Sequence, residues 1–277
     1  MADAPIMKGR RGLVMGVAND HSIAWGIARS LAAHGAEIAF TYQGDAQAKR
    51  LKPLAQSIGS SLMMQADVEN DGELNAAFDV LRREWGRLDF VVHAIAYSDR
   101  DELKGRYVDT SRENFRRSLA ISCFSFTDVA RRALPLMQEN GGALLTLTYL
   151  GSHRVTPNYN VMGVAKAGLE ASVKYLAADL GRDNIRVNAI SAGPMRTLAG
   201  SVIGESRIVF RWNKMQAPLG RTVNLDNVGN AALYLLSDLS LGVTGEIHYV
   251  DAGYNIIGTP PSSKLAGWTG TDNGDDN

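Results

Sequence analysis

The sequence has little of what builds small secreted or metal-centred folds. Cys123 is the only cysteine in 277 residues, so no internal disulfide can form. The five histidines, at positions 21, 34, 93, 153 and 248, show no metal-ligand spacing, and no structural metal is expected. Neither sign of charge is in excess. Lys plus Arg and Asp plus Glu both number 29, which leaves no electrostatic case for nucleic acid or an anionic membrane. No run reaches the roughly eighteen apolar residues that a bilayer span needs. The opening MADAPIMKGRRG lacks the apolar core of a signal peptide. These absences point to a cytoplasmic protein with neither nucleic acid nor membrane as partner.

What is present suits a large core. Hydrophobic residues make up 45% and charged residues 21% of the chain. No Pro/Ser/Gly linker interrupts residues 9 to 257, so a single domain over 1–257 is expected. Residues 258–277 are rich in Gly, Ser, Thr, Pro and Asp and read as a mobile tail. Within the domain, short apolar runs alternate with helical patterns. Strands are expected at 12–17, 37–42, 61–66, 88–95, 143–149, 185–191 and 246–250. Helices are expected at 23–34, 45–58, 71–85, 110–140 and 159–180. Gly35, Gly141-Gly142 and Gly181 stand at helix ends, and Asp71 at a helix start. Continuously apolar strands between helices indicate a parallel sheet covered on both faces. The expected fold is α/β: a doubly wound, Rossmann-like, seven-stranded parallel sheet with helices on both faces.

Such sheets bind ligands at the carboxyl ends of their strands. There the first strand runs into Gly16-Val-Ala-Asn-Asp-His-Ser22-Ile23-Ala-Trp-Gly26, a loop and helix start suited to a pyrophosphate. Gly16 allows a tight turn, and Gly26 allows close packing of the helix on the sheet. The G-x-G-x-x-G spacing is absent, and a turn without ligand stays open for this segment alone. The second strand ends at Gln43, where an acid would grip a ribose and an Arg would favour a 2′-phosphate. Lys49 and Arg50 lie a turn or more further on. Asp67-Val68 ends the third strand, either beside an adenine or as a cap of the next helix. His93 to Ala96 ends the fourth, against the expected ribose. Asn188 to Pro194 ends the sixth, with Thr197 placed to bind a pyrophosphate.

Tyr159 and Lys166 stand seven apart in Asn158-Tyr-Asn-Val-Met-Gly-Val-Ala-Lys166. On a helix that spacing brings a phenol and an ammonium to one face. Lys166 can hold a sugar hydroxyl, and Tyr159 can donate to a forming oxyanion.

Together these residues resemble the short-chain dehydrogenase/reductase superfamily. Ordinary members carry Tyr-x-x-x-Lys, whereas the residue four before Lys166 is Met162. Here the spacing is Tyr-x6-Lys, with Tyr149 ten residues before Tyr159. Gly16…Ser22-Ile-Ala-x-Gly26, Leu144-Leu-Thr-Leu-Thr-Tyr149-Leu-Gly151, Pro157-Asn-Tyr-Asn-Val-Met162 and Ser191-Ala-Gly-Pro194…Arg196-Thr-Leu198 resemble one branch. It is the bacterial enoyl-[acyl-carrier-protein] reductases of the FabI type, and the resemblance spans residues 8 to about 257. The resemblance implies NADH as cofactor, a homotetramer, and an enoyl thioester delivered on acyl carrier protein in the last step of type II fatty-acid elongation. By position it implies cofactor contacts at Gly16, Ser22, Ile23, Gln43, Asp67, Val68, Ile95, Lys166, Met195, Arg196, Thr197, Leu198 and Ala199. It implies catalytic roles for Tyr149, Tyr159 and Lys166. Substrate contacts would fall on Ser98, Tyr149, Tyr159 and Met162, with Ser98 where the pattern usually has Ala.

In the mechanism so implied, Tyr159 stabilises an enolate and Lys166 lowers the phenol's pKa by its charge. Tyr149 either lines the pocket or orients the thioester. Residues 195–216 read as a substrate lid with apolar Leu198, Val202, Ile203 and Val209. Arg207, Arg211 and Lys214 would form a basic stripe on a helix, for carrier docking or as a solvated face. A carbonyl reductase of the same superfamily and a non-catalytic NAD-sensing module are the rival readings. The Tyr-x6-Lys spacing disfavours the first, and the Tyr159–Lys166 pair the second.

Overall fold

All seven expected strands form, and they pair into one sheet of order β3-β2-β1-β4-β5-β6-β7. The computed structural model describes residues 5–195 and 206–259, without the side chains of Ser206 and Arg207. The strands are β1 Arg11–Met15, β2 Glu37–Tyr42, β3 Met63–Gln65, β4 Phe90–His93, β5 Gly142–Thr148, β6 Ile185–Ala192 and β7 Ile247–Val250. Every pairing is parallel. The helices are α1 Ile23–Ala33, α2 Asp45–Ser57, α3 Asp71–Trp85, α4 Arg112–Leu119, α5 Ser125–Met137, α6 Val161–Leu180, α7 Ser206–Gln216 and α8 Leu225–Leu236. Strand order reverses between β1 and β4, which opens the crevice where doubly wound sheets bind nucleotides.

The two-residue period of the strands divides the core into two layers. Leu13, Met15, Val91 and Leu144 face α3, α5 and α6, through Leu74, Phe78, Phe126, Val129, Leu169 and Val173. Val14, Phe90, Val92 and Leu145 face α1, α2 and α8, through Ile27, Leu31, Leu51, Val228 and Leu235. Both faces are dry, which is why the strands read as unbroken apolar runs.

Several expectations need correction. Helix α8 was absent from the sequence reading. It starts with a reciprocal Asn224/Asn227 capping box, in which Asn replaces the usual Ser/Thr and Glu. Gly26 does not serve helix-to-sheet packing. A Cβ there would lie 2.8 Å from Leu225 Cβ, and one at Gly229 would lie 2.8 Å from the Gly26 carbonyl, so the two glycines let α1 and α8 touch. The cap of α3 is Asn70, not Asp71: its side chain accepts from the Gly72 and Glu73 amides. The expected long helical segment over 110–140 forms as a continuous helical run over 112–137, with a π-helical stretch, Ala120–Phe124, between α4 and α5. The centre of the expected lid, 196–205, and residues 260–277 of the tail lie outside the described residues.

His93 is a core residue, not a ribose contact. It is fully buried, with Nδ1 3.2 Å from Thr146 Oγ1 and Nε2 2.8 Å from Ser125 Oγ. Burial, and then the charge of Lys166, push its pKa down to about 3. The unfolded imidazole titrates near ~6.5, so between these values only the unfolded chain binds the proton. The stability this represents is complete above about pH 6.5 and is lost as pH falls toward 3, at up to ~1.4 kcal/mol per unit. Urea unfolding at pH 7 and pH 5 should therefore show a loss of stability in the wild type that is much smaller in His93→Gln. An equal loss in both proteins would show that His93 is not the titrating group.

Candidate active site

The nucleotide end of the crevice is built from backbone close approach. Gly16 has φ +95°, and a Cβ there would run into the Ala94 carbonyl at the end of β4. Ser22 turns its hydroxyl back on the loop, accepting from the Ala18 and Asn19 amides at 3.0 Å each. No side chain caps α1; the Trp25 and Gly26 amides donate to the Ser22 carbonyl, which leaves those of Ile23 and Ala24 for a ligand, as an anionic pyrophosphate requires. Ile23 is the first residue of α1. At the ends of β2 and β3, Gln43 Nε2 donates to Asp67 Oδ2 at 2.7 Å. Asp67 Oδ1 takes the Glu69 amide, and the capping of α3 falls to Asn70. Val68 and Ile95 are partly buried against the α3/α5/α6 core layer. Arg50, expected to lie too far along α2, reaches back and donates from Nε to the Ala18 carbonyl at 2.9 Å. The residues present therefore fit a dinucleotide.

The reactive end differs from the helical picture in one respect. Tyr159 is not on α6, which begins at Val161. It sits in a turn between Asn158 at φ +58° and Asn160 at φ +37°, conformations that Asn tolerates better than most side chains. Asn160 also donates to the Glu102 carbonyl at 3.2 Å, tying the turn to the loop after β4. Met162 occupies the first turn of α6, packed with Leu103, Tyr159 and Val161. The turn, not the helical period, carries the phenol to the site. That accounts for seven residues separating Tyr159 from Lys166 where ordinary members have four.

Lys166 is buried, and its Nζ donates to the Leu147 carbonyl of β5 at 2.8 Å. Tyr149 follows β5 directly and meets Tyr159 edge-on, with ring centroids 5.1 Å apart. Gly151 completes the wall: a Cβ there would lie 2.5 Å from Tyr159 Cδ1, and one at Gly163 would lie 2.7 Å from the Gly151 carbonyl. Ser98 Oγ lies 3.3 Å from Asn114 Oδ1 and donates to it. Ser122, in the π-turn, accepts from the Tyr97 amide and donates to the Tyr97 carbonyl, both at 2.9 Å, and its Oγ lies 3.7 Å from the Met162 sulfur. Met195 is half-buried between the α1/α2/α8 core layer and the Ala217/Val223/Ala252 cluster. Arg196, Thr197, Leu198 and Ala199 lie outside the described residues.

The electrostatics correct one expectation. Burial, with Tyr149 and Glu170 nearby, pushes the Tyr159 pKa up rather than down. Burial and Tyr254 raise that of Tyr149 as well. Lys166 is lowered to about 8, mainly by desolvation. The site thus offers neutral phenols as hydrogen-bond donors beside an ammonium that is largely retained at neutral pH. Glu170 and Asn160 carry no role in the sequence pattern, and Arg50 reaches further than its place along α2 implies. A Glu four after Lys166 was visible as a same-face residue, but not as a buried one.

Residues 16–255 match the family model described as Enoyl-(Acyl carrier protein) reductase. The chain is 64% identical over 260 residues to Enoyl-[acyl-carrier-protein] reductase [NADH] 2 of Rhizobium meliloti, covering 94% of this chain and 97% of that one. It is 54% identical to Enoyl-[acyl-carrier-protein] reductase [NADH] FabI of Rickettsia felis, with 94% and 98% covered. The crystal structure of the Anaplasma phagocytophilum enoyl-(acyl-carrier-protein) reductase in complex with NAD is similar at TM-score 0.90 and 56% identity, covering 94% of this chain and 99% of that one. With the fold, the crevice and the Tyr-x6-Lys turn already in place, the chain belongs to the enoyl-(acyl carrier protein) reductase family.

Proposed function

We propose that this protein reduces the trans-2 double bond of enoyl thioesters carried on acyl carrier protein, using NADH. The observation that carries the reading is the ring contact of buried Tyr159 with half-buried Tyr149, in one site with the buried Lys166 held at the end of β5. Bound NADH would supply a hydride to the β-carbon. Gly16, Ser22, Ile23, Gln43, Asp67, Val68, Ile95 and the 195–199 segment would hold it. Lys166 would hold its ribose. Tyr159 donates a hydrogen bond to the thioester oxygen as negative charge builds there. Burial raises its pKa, so Tyr159 is a neutral donor, and the α-carbon is protonated by Tyr159 or by water relayed past Lys166. Tyr149 orients the thioester, and Ser98 and Met162 line its path. Residues 195–216, which include α7, act as the lid over the acyl chain. A homotetramer belongs to the same reading. Phe124, Val164 and Tyr175 are apolar, exposed side chains on the π-turn and α6, which suits an assembly face. A carbonyl reductase would fail to oxidise NADH with crotonyl-CoA, and a binding module would turn over nothing.

Tyr159→Phe should lower kcat by roughly 10²- to 10³-fold, the worth of one oxyanion donor. NADH affinity should stay near wild type, because the phenol acts on the thioester. Stopped-flow turnover and fluorescence titration of NADH separate the two effects. Full single-turnover chemistry in this variant would remove Tyr159 from the mechanism.

NADH should be preferred over NADPH. The Asp67 carboxylate behind Gln43 repels a 2′-phosphate, and the opposing Arg50 is engaged on the Ala18 carbonyl. The expected ratio of kcat/KM is about tenfold or more, equivalent to ~1.4 kcal/mol. Asp67→Asn should narrow it. Equal use of both cofactors by the wild type would refute the assignment.

Carrier docking is assigned to the stripe of Arg207, Arg211 and Lys214, all within α7. Lys214 is exposed and Arg211 half-buried. Arg211→Glu with Lys214→Glu should raise KM for the carrier-linked substrate about tenfold and reduce its salt dependence. KM for the same acyl group on CoA should change much less. Equal changes on both substrates would make the stripe a support for the lid.

A further inference from the structure

Helix α6 presents two polar side chains, one turn apart, to the end of β5. Lys166 takes the Leu147 carbonyl at 2.8 Å. Glu170 comes four residues later and is only 4% exposed. Its Oε1 accepts from Thr148 Oγ1 at 2.6 Å and from Ser152 Oγ at 2.5 Å. Its Oε2 lies 2.6 Å from Nε2 of the exposed His153. A carboxylate this deep is costly unless its lone pairs are used, and here all three partners come from residues 148–153. The sheet does not need these bonds. β5 is already paired along its length with β6 and at its start with β4. What they hold is the stretch after the strand ends: Tyr149, and Gly151, whose Cα stands against the Tyr159 ring.

We propose that Glu170 is a positioning residue for the reduction. Through Thr148, Ser152 and His153 it sets Tyr149 and the Gly151 wall against which Tyr159 stands. The proposal rests on the reading of Tyr159 as donor to the thioester oxygen. It predicts a split between chemistry and cofactor binding, because Lys166 can donate to the Leu147 carbonyl whether or not Glu170 keeps its charge.

The test is steady-state kinetics of purified full-length variants with crotonyl-CoA and NADH. Glu170→Ala should lower kcat about 10- to 100-fold, as loss of ångström-level alignment does, with KM for NADH within about twofold. Glu170→Gln keeps an oxygen for both hydroxyls and an amide that can donate to neutral His153, and should return kcat to within about threefold of wild type. Thr148→Val with Ser152→Ala should reproduce Glu170→Ala, and stands in for it if the buried substitution prevents folding. Wild-type kcat in both Glu170→Ala and the double variant would overturn the proposal. So would equal losses in Gln and Ala, which would assign the effect to the carboxylate's charge. A rise in KM for NADH matching the loss of kcat would also overturn it, as general damage to the site. Absence of wild-type turnover with crotonyl-CoA would instead strike the enoyl reductase reading.

Discussion

Burial of the Lys166 ammonium is the constraint around which the reactive end is arranged. A lone ammonium in a dry site would shed its proton, and desolvation does lower its pKa to about 8. Cys123 and then the Glu170 carboxylate favour its charged form, and the Leu147 carbonyl accepts its hydrogen bond. The same carboxylate and the same dryness act oppositely on Tyr159, whose ionisation they oppose. One environment therefore separates the two groups by role, the lysine as cation and the phenol as neutral donor.

That environment depends on unusually close backbone contact. Gly151 and Gly163 let the segment after β5 press against the start of α6. Asn158 and Asn160 take left-handed or neighbouring conformations so that the chain can deliver Tyr159 into the gap from outside the helix. The π-turn at Ala120–Phe124 serves the opposite wall. It sets Ser122 on the Tyr97 backbone and Ser125 on His93, so the end of β4 is pinned by side chains while its own strand partners are spent. Ladder hydrogen bonds run out at strand ends, and polar side chains take over there.

At the nucleotide end the same economy appears in a simpler form. Gly16 removes a Cβ that would strike the Ala94 carbonyl just past β4, Ser22 secures the loop, and α1 has no side-chain cap. The Gln43–Asp67 bond joins the ends of two adjacent strands and presents a carboxylate beside a neutral amide. Arg50 shows how local distance misleads. Five residues into α2 it is remote along the chain, yet its long side chain folds back over the β1 loop because α2 packs against β2 beside it.

Periodicity and composition by themselves determined the class of fold. Seven apolar runs between helical patterns can bury both faces only as a covered parallel sheet, and those are the strands observed. The types and spacings of Gly16, Tyr149, Tyr159 and Lys166 are also distinctive in the sequence, and the structure sets Tyr149 against Tyr159 and ties Lys166 to the Leu147 carbonyl. What the tertiary structure decided were the features that depend on neighbours distant in sequence. The turn that sets Tyr159 off α6, the burial of His93, the role of Gly26 against Leu225 and the three donors on Glu170 are of this kind. Burial and close approach are properties of two surfaces meeting, and a pattern read along one chain segment contains only one of them.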